Sequence, residues 1–166
     1  MSDDRELRLA RDDEARRLAQ SEFATPLMVV AGAGTGKTSL LVTRVVAWLL
    51  GPGWARHDQD GSGPESVARR AVERVVAITF TEAAAAEMAE RVVGALETVA
   101  RGGMPVGWDD EPAAASAERA CPERATRARA LLDEVHRLRA QTIHAFCQGL
   151  LTEHPLEAGL HPRLTV

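Results

Sequence analysis

With 166 residues the chain has the length of one domain, and folding at this size buries roughly two thirds of the surface that an unfolded chain exposes. Apolar residues make up 45% and charged residues 27%, a balance that argues against wholesale disorder, a collagen-like fibre or a membrane bundle. The formal charge of −4 provides no bulk attraction for nucleic acid, so any DNA binding has to come from a local arrangement of groups.

Residues 2–19 are polar with Leu7, Leu9 and Leu18 as sparse apolar points, which predicts an amphipathic helix at the edge of the domain. The run PLMVVA at 26–31 is continuously apolar and leads straight into glycines, the pattern of a buried parallel strand entering a turn. Residues 37–50, KTSLLVTRVVAWLL, place apolar side chains at 40, 41, 45, 48 and 49 with helical spacing and stop at Gly51-Pro52. Gly, Pro, Asp and Ser dominate 51–66, which reads as an exposed insertion. A short helix over 66–73 precedes a second strand, RVVAITF at 74–80, and a helix that runs to Gly102-Gly103. Residues 102–124 read as a second exposed insertion with room for one short helix. A helix over 126–139 with Leu131, Leu132, Val135 and Leu138 inward, a short strand over 140–144 and a helix over 146–154 follow. The tail 155–166 carries neither a cap nor a stop signal, so the sequence looks interrupted there. Strands alternating with helices predict an α/β fold with a parallel sheet and right-handed crossovers.

Two cysteines, Cys121 and Cys147, are too few for a four-thiolate cluster or a disulfide framework, and Cys147 reads as a small buried hydrophobe. The N-terminus mixes acids and arginines with no apolar h-region, and no apolar run approaches the ~18 residues that span a bilayer. A cytoplasmic location without membrane contact is the expectation.

The segment AGAGTGKT at 31–38 follows a predicted strand and opens a predicted helix, the context of a phosphate-binding loop. Ala31, Gly32, Ala33, Gly34, Thr35, Gly36, Lys37 and Thr38 are the candidate nucleotide site. The glycines let the backbone take positive φ and turn successive N–H groups around a phosphate, and the helix that follows adds its positive end. Lys37, the only lysine among 20 basic residues, is the catalytic cation for the β and γ phosphates, and the Thr38 hydroxyl is the Mg²⁺ ligand. ATP and Mg²⁺ are the expected cofactors. The pattern G-x-x-x-x-G-K-[ST] has glycine where this chain has Ala31. The competing reading is a Gly-rich connection that packs tightly and binds nothing.

These residues resemble the superfamily-one DNA helicases of the UvrD and RecB type, whose first motif is commonly A-G-A-G-[ST]-G-K-T, with alanine in the leading position. TFTEAAAAEM at 79–88 resembles the family's motif Ia, usually TFTNKAA, with Glu82-Ala83 in the RecB-like form. QTIHAFCQGLL at 141–151 resembles motif Ib in its RecB- or AddA-like form. The resemblance covers residues 27–160 and implies that 1–166 are the N-terminal part of the ATP-binding domain, an incomplete RecA-like P-loop lobe. In this fold further central strands follow motif Ib, which leaves sheet edges open here. The implied function is the ATP-binding part of a 3′–5′ DNA helicase of the RecB/AddA helicase-nuclease type in double-strand break repair and recombination. The implied partners are single-stranded DNA and a second helicase-nuclease subunit. The alternatives are a stand-alone UvrD-type repair helicase, a nucleotide-binding fragment without activity of its own, and a P-loop kinase or small-molecule NTPase with coincidental second and third motifs.

The resemblance also places Thr79, Phe80, Thr81, Thr142 and His144 near single-stranded DNA. A phenylalanine stacks on any base, and a threonine bonds a phosphate without reading sequence. Each has a second reading: Phe80 and Phe146 suit the core, His144 suits a bond to a neighbouring carbonyl, and Thr81 suits a helix cap with Glu82 as an N-terminal charge. Two family features are missing. The adenine-contacting glutamine has only Gln20 as a counterpart, too close to the strand, and the acidic D-E-x-Q-D metal motif does not occur. Neither do the arginine-finger motifs or a nuclease signature. Phosphoryl transfer needs that metal ligand, a group orienting water and transition-state cations, so the chain by itself is expected at best to hold a nucleotide without turning it over.

Overall fold

The computed structural model describes residues 2–32, 34–59, 61–105, 108 and 122–159, with the backbone alone for 2–10 and Pro122. In chain order the elements are α1 (Ser2–Ser21), α2 (Lys37–Leu50), α3 (Pro52–His57), α4 (Pro64–Glu73) and β1 (Val76–Thr79). They continue with α5 (Glu82–Ala100), α6 (Pro122–Glu134) closing in a 3₁₀ turn (Val135–Arg137), β2 (Arg139–Thr142) and α7 (Ile143–Glu153).

The core is helical. α4 starts with proline at its first turn and buries Val67, Ala68, Ala71 and Val72, a spacing that puts all four on one face. α5 buries Ala85, Met88, Val92, Leu96 and Val99 at intervals of three and four, again one stripe. These faces meet Val46, Leu49 and Leu50 of α2 and Leu131 of α6 in one cluster, where each large aliphatic side chain contributes roughly 1.5–3 kcal/mol. The Arg127 guanidinium donates to the Leu50 carbonyl at 3.0 Å, fastening α6 to a carbonyl that the end of α2 leaves without a helical partner.

β1 and β2 pair in parallel with Val76 opposite Arg139 and Thr79 opposite Thr142. α5 leaves β1 and α7 leaves β2 at the same end of this pair. The sheet has these two strands among the described residues, and the strand expected over 26–31 is not formed: Met28 is 88% and Val30 84% exposed. An apolar run signals a tendency to be covered, but a strand also needs a ladder partner, and β1 and β2 pair only with each other.

α2 carries a second consequence of the same openness. Its helix-packed face is Val42, Thr43, Val46, Leu49 and Leu50, which shares only Leu49 with the set 40, 41, 45, 48 and 49 that the spacing suggested. Leu41, Val45 and Trp48 instead line a cavity of about 430 Å³ with Phe23, Val76 and Ile78. The helix is apolar around more than half its circumference, and the side that carries Leu41, Val45 and Trp48 faces this cavity.

Residues 51–66 differ from the exposed insertion expected of them, because α3 buries Gly53 and Trp54 and Trp54 joins the core. A Cβ at Gly53 would stand 2.5 Å from the Trp48 ring, so the glycine is what lets the two elements close. Most of 102–124 lies outside the described residues, although Pro105 and Trp108 are buried. α6 begins at Pro122, earlier than the spacing suggested. β2 stops at Thr142, because its hydroxyl caps α7 and Ile143 and His144 are already helical. Cys147 is exposed rather than buried. α7 has no buried residue, with Leu150 43% exposed, and the elements it packs on are the two short strands. Ala33, Cys121 and residues 160–166 lie outside the described residues. Among the described residues no helix is long and apolar enough to cross a membrane.

Candidate nucleotide site and nucleic-acid face

The loop from Ala31 to Thr38 turns on two glycines. Gly34 has φ 74° and Gly36 φ 81°, the left-handed region that other residues enter at a cost of roughly 1–2 kcal/mol. Gly36 is the N-cap of α2, no side chain bonds the cap, and the first turn contains no acid. The leading N–H groups and the positive end of the helix are thus uncompensated by the helix's own side chains, the arrangement that receives an anion.

Lys37 is exposed and folds back over the loop, its Nζ donating to the Ala31 carbonyl at 3.0 Å and to the Gly32 carbonyl. The Thr35 hydroxyl donates to the Gly32 carbonyl at 2.8 Å, so the loop closes on itself. Thr38 is half-buried in the first turn of α2. A cavity of about 290 Å³ opens over Gly32, Thr35, Gly36 and Lys37, and its far wall is α1, through Asp12 and Arg16. The donor set suits a phosphate chain: oriented amides, a mobile ammonium and a hydroxyl beside it.

A second constellation sits where β1 and β2 end. The parallel register sets Thr79 against Thr142, and each strand then passes into a helix capped by a threonine. Thr81 accepts from the Ala84 N–H at 3.1 Å, and Thr142 accepts from the Ala145 N–H at 3.2 Å. The Thr79 hydroxyl donates to the Thr81 carbonyl at 2.9 Å. Between them Phe80 is 92% exposed, which removes it from the core. His144 is exposed on the first turn of α7. Two helix N-termini and a bare aromatic ring therefore share one end of the sheet, a combination that suits a phosphodiester chain carrying stackable bases. Glu82 opens α5, favourable to that helix's dipole and a negative charge on the same face.

Residues 12–166 match the family model described as UvrD/REP helicase N-terminal domain. The chain belongs to this family. Among relatives of this UvrD/REP helicase N-terminal domain, an ATP-dependent helicase/nuclease subunit of Desulforudis audaxviator is 34% identical over 146 residues, 84% of the chain. The protein of the same name from Moorella thermoacetica is 33% identical over 140 residues, also 84% of the chain. ATP-dependent DNA helicase UvrD1 of Mycobacterium tuberculosis is 45% identical over 86 residues, 52% of the chain. The chain spans 9% of the first and third of these relatives and 8% of the second.

Within this UvrD/REP helicase N-terminal domain the structure brings Ala31, Gly32, Thr35, Gly36 and Lys37 around one cavity, whose lining includes neither Gly34 nor Thr38, and gathers Thr79, Phe80, Thr81, Thr142 and His144 at one sheet end. Thr142 is 7% exposed, so it supports that end from beneath rather than presenting itself to solvent. The wall contributed by α1 was not legible: Asp12 and Arg16 lie in a polar stretch rich in acids and arginines, and nothing in their spacing separates them from a solvated helix face.

Proposed function

We propose that this chain is the nucleotide-holding first part of a RecA-like motor lobe in an ATP-dependent 3′–5′ DNA helicase acting in double-strand break repair and recombination. The observation that carries the reading is the start of α2, where two left-handed glycines, an N-terminus with no side-chain cap and the only lysine converge. In this proposal the loop amides and Lys37 hold the β and γ phosphates of ATP, and Thr38 holds Mg²⁺, which neutralises phosphate charge during transfer. Phe80 takes a DNA base by stacking, Thr79, Thr81 and His144 meet the backbone, and Thr142 keeps α7 in place. The strands that complete the sheet, contributed by the rest of a longer protein, would fill the cavity between α2 and β1 and give residues 26–31 a ladder partner.

The match over 84% of the chain to a helicase/nuclease subunit favours the RecB/AddA type, which works on DNA in the cytoplasm beside a second subunit. The 45% identity to UvrD1 over a shorter stretch favours the second reading, a stand-alone repair helicase, and a nuclease domain downstream separates the two. In a polypeptide extended to the length of these relatives, Lys37→Ala is expected to abolish DNA-stimulated ATP hydrolysis with the melting temperature unchanged. Undiminished turnover in that variant overturns the assignment of the loop.

A further inference from the structure

The phosphate-loop cavity has a second cation, contributed by a helix that precedes the loop. Arg16 lies on α1, and its Nε donates to Asp12 Oδ2 at 2.9 Å. Its Nη2 reaches the carbonyl of Thr35, inside the loop, at 3.4 Å. Its Nη1 stands 3.9 Å from the position that a Cβ would take on Gly36, so the guanidinium hangs over the N-cap of α2.

The helix that carries it is fastened nearby. Ala19, three residues further along α1, is buried, and its carbonyl accepts from Arg44 Nη1 of α2 at 2.5 Å. The Arg44 guanidinium in turn covers the Phe23 ring at 4.6 Å, a cation–π contact that clamps the exit of α1. Arg16 is therefore held at the cavity by the packing of α1 on α2, and its present partners are weak ones. A 3.4 Å bond is at the long end for N–H···O, and the Asp12 pair is an exposed i,i+4 contact with side chains 42% and 59% accessible.

We propose that Arg16 is a phosphate ligand of this site: on arrival of a nucleoside triphosphate it exchanges the Thr35 carbonyl and the Asp12 carboxylate for phosphate oxygens. The inference rests on the phosphate-loop reading above. A guanidinium binds phosphate through paired N–H donors, and charge-assisted bonds of this kind are about twice as strong as those to a neutral carbonyl. Asp12 then acts as a resident competitor, an anion that occupies the arginine and repels the incoming one. α1 becomes part of the nucleotide site rather than an edge helix.

The test is competition of MgATP and of inorganic tripolyphosphate against a fluorescent ATP analogue, on the 166-residue chain. Wild type, Arg16→Ala, Arg16→Lys, Asp12→Asn and Lys37→Ala are compared, each checked by thermal melting. Arg16→Ala is expected to weaken ATP and tripolyphosphate by the same factor, about tenfold or more. Arg16→Lys should recover part of that loss, and Asp12→Asn should bind tighter than wild type. Affinities unchanged in Arg16→Ala, a loss for ATP but not for tripolyphosphate, or a weaker Asp12→Asn overturns the proposal. Lys37→Ala separates the two claims: if it abolishes binding while Arg16→Ala does nothing, the loop stands and Arg16 is not a ligand. If the wild-type chain shows no binding that Lys37→Ala removes, the loop reading and this one fall together.

Discussion

Phe80 separates a DNA-facing role from a structural one, because the two roles predict opposite patterns in two assays. The ring is 92% exposed, so truncation to alanine removes almost no buried contact and should change stability by about 0.5 kcal/mol or less. At this chain length that is a melting shift of roughly 2 °C or less. A core phenylalanine would instead lose about 3–5 kcal/mol, a shift of roughly 6–20 °C. Stacking under a base is worth about 1–3 kcal/mol, which converts to roughly 5- to 150-fold in Kd. Fluorescence anisotropy with a labelled oligo-dT strand, run beside a thermal melt, reads both quantities. The expected result for Phe80→Ala is a clear loss of single-stranded DNA affinity with the melting temperature in place. Unchanged affinity, or a melting temperature that drops by the core amount, refutes the reasoning.

Other substitutions test separate parts of the account. Trp54→Ala should cost about 3–5 kcal/mol, measured by urea denaturation, because the ring is buried in the core; a neutral result would return 51–66 to an exposed insertion. Gly36→Ala forces alanine to φ 81° and should cost roughly 1–2 kcal/mol, with nucleotide binding lost in the same titration; wild-type stability and affinity would mean that the loop does not need this turn. Thr81→Ala removes the cap on the Ala84 N–H and should lower stability by about 1 kcal/mol, while Thr81→Ser restores most of it.

The helices were legible because their signals are local. The 3.6-residue spacing in α5 and α6, the Gly51-Pro52 stop after α2 and the Thr81 cap depend on residues within a turn or two of one another. The phosphate loop was legible for the same reason, since φ-permissive glycines, lysine and helix start are consecutive. What could not be read depends on distant partners. Residues 26–31 have a strand's composition but no neighbour to pair with. Trp54 is buried because the Trp48 ring and Gly53 leave room for each other, a fact absent from a stretch rich in Gly, Asp and Ser. Cys147 and the apolar residues of α7 look like core, yet the sheet beneath them is too narrow to cover them. Arg16 reaches the loop only because Arg44 and Ala19 dock α1 on α2, a contact that spans 25 residues of sequence.

The central claim is that the start of α2 holds a Mg²⁺-nucleotide. Isothermal titration of the chain with MgATP, in wild type and in Lys37→Ala, addresses it most directly, with released phosphate assayed in the same sample. The account predicts saturable one-site binding in wild type, its loss in Lys37→Ala and no phosphate release in either. Binding of equal strength in both proteins, or no binding in wild type, contradicts it.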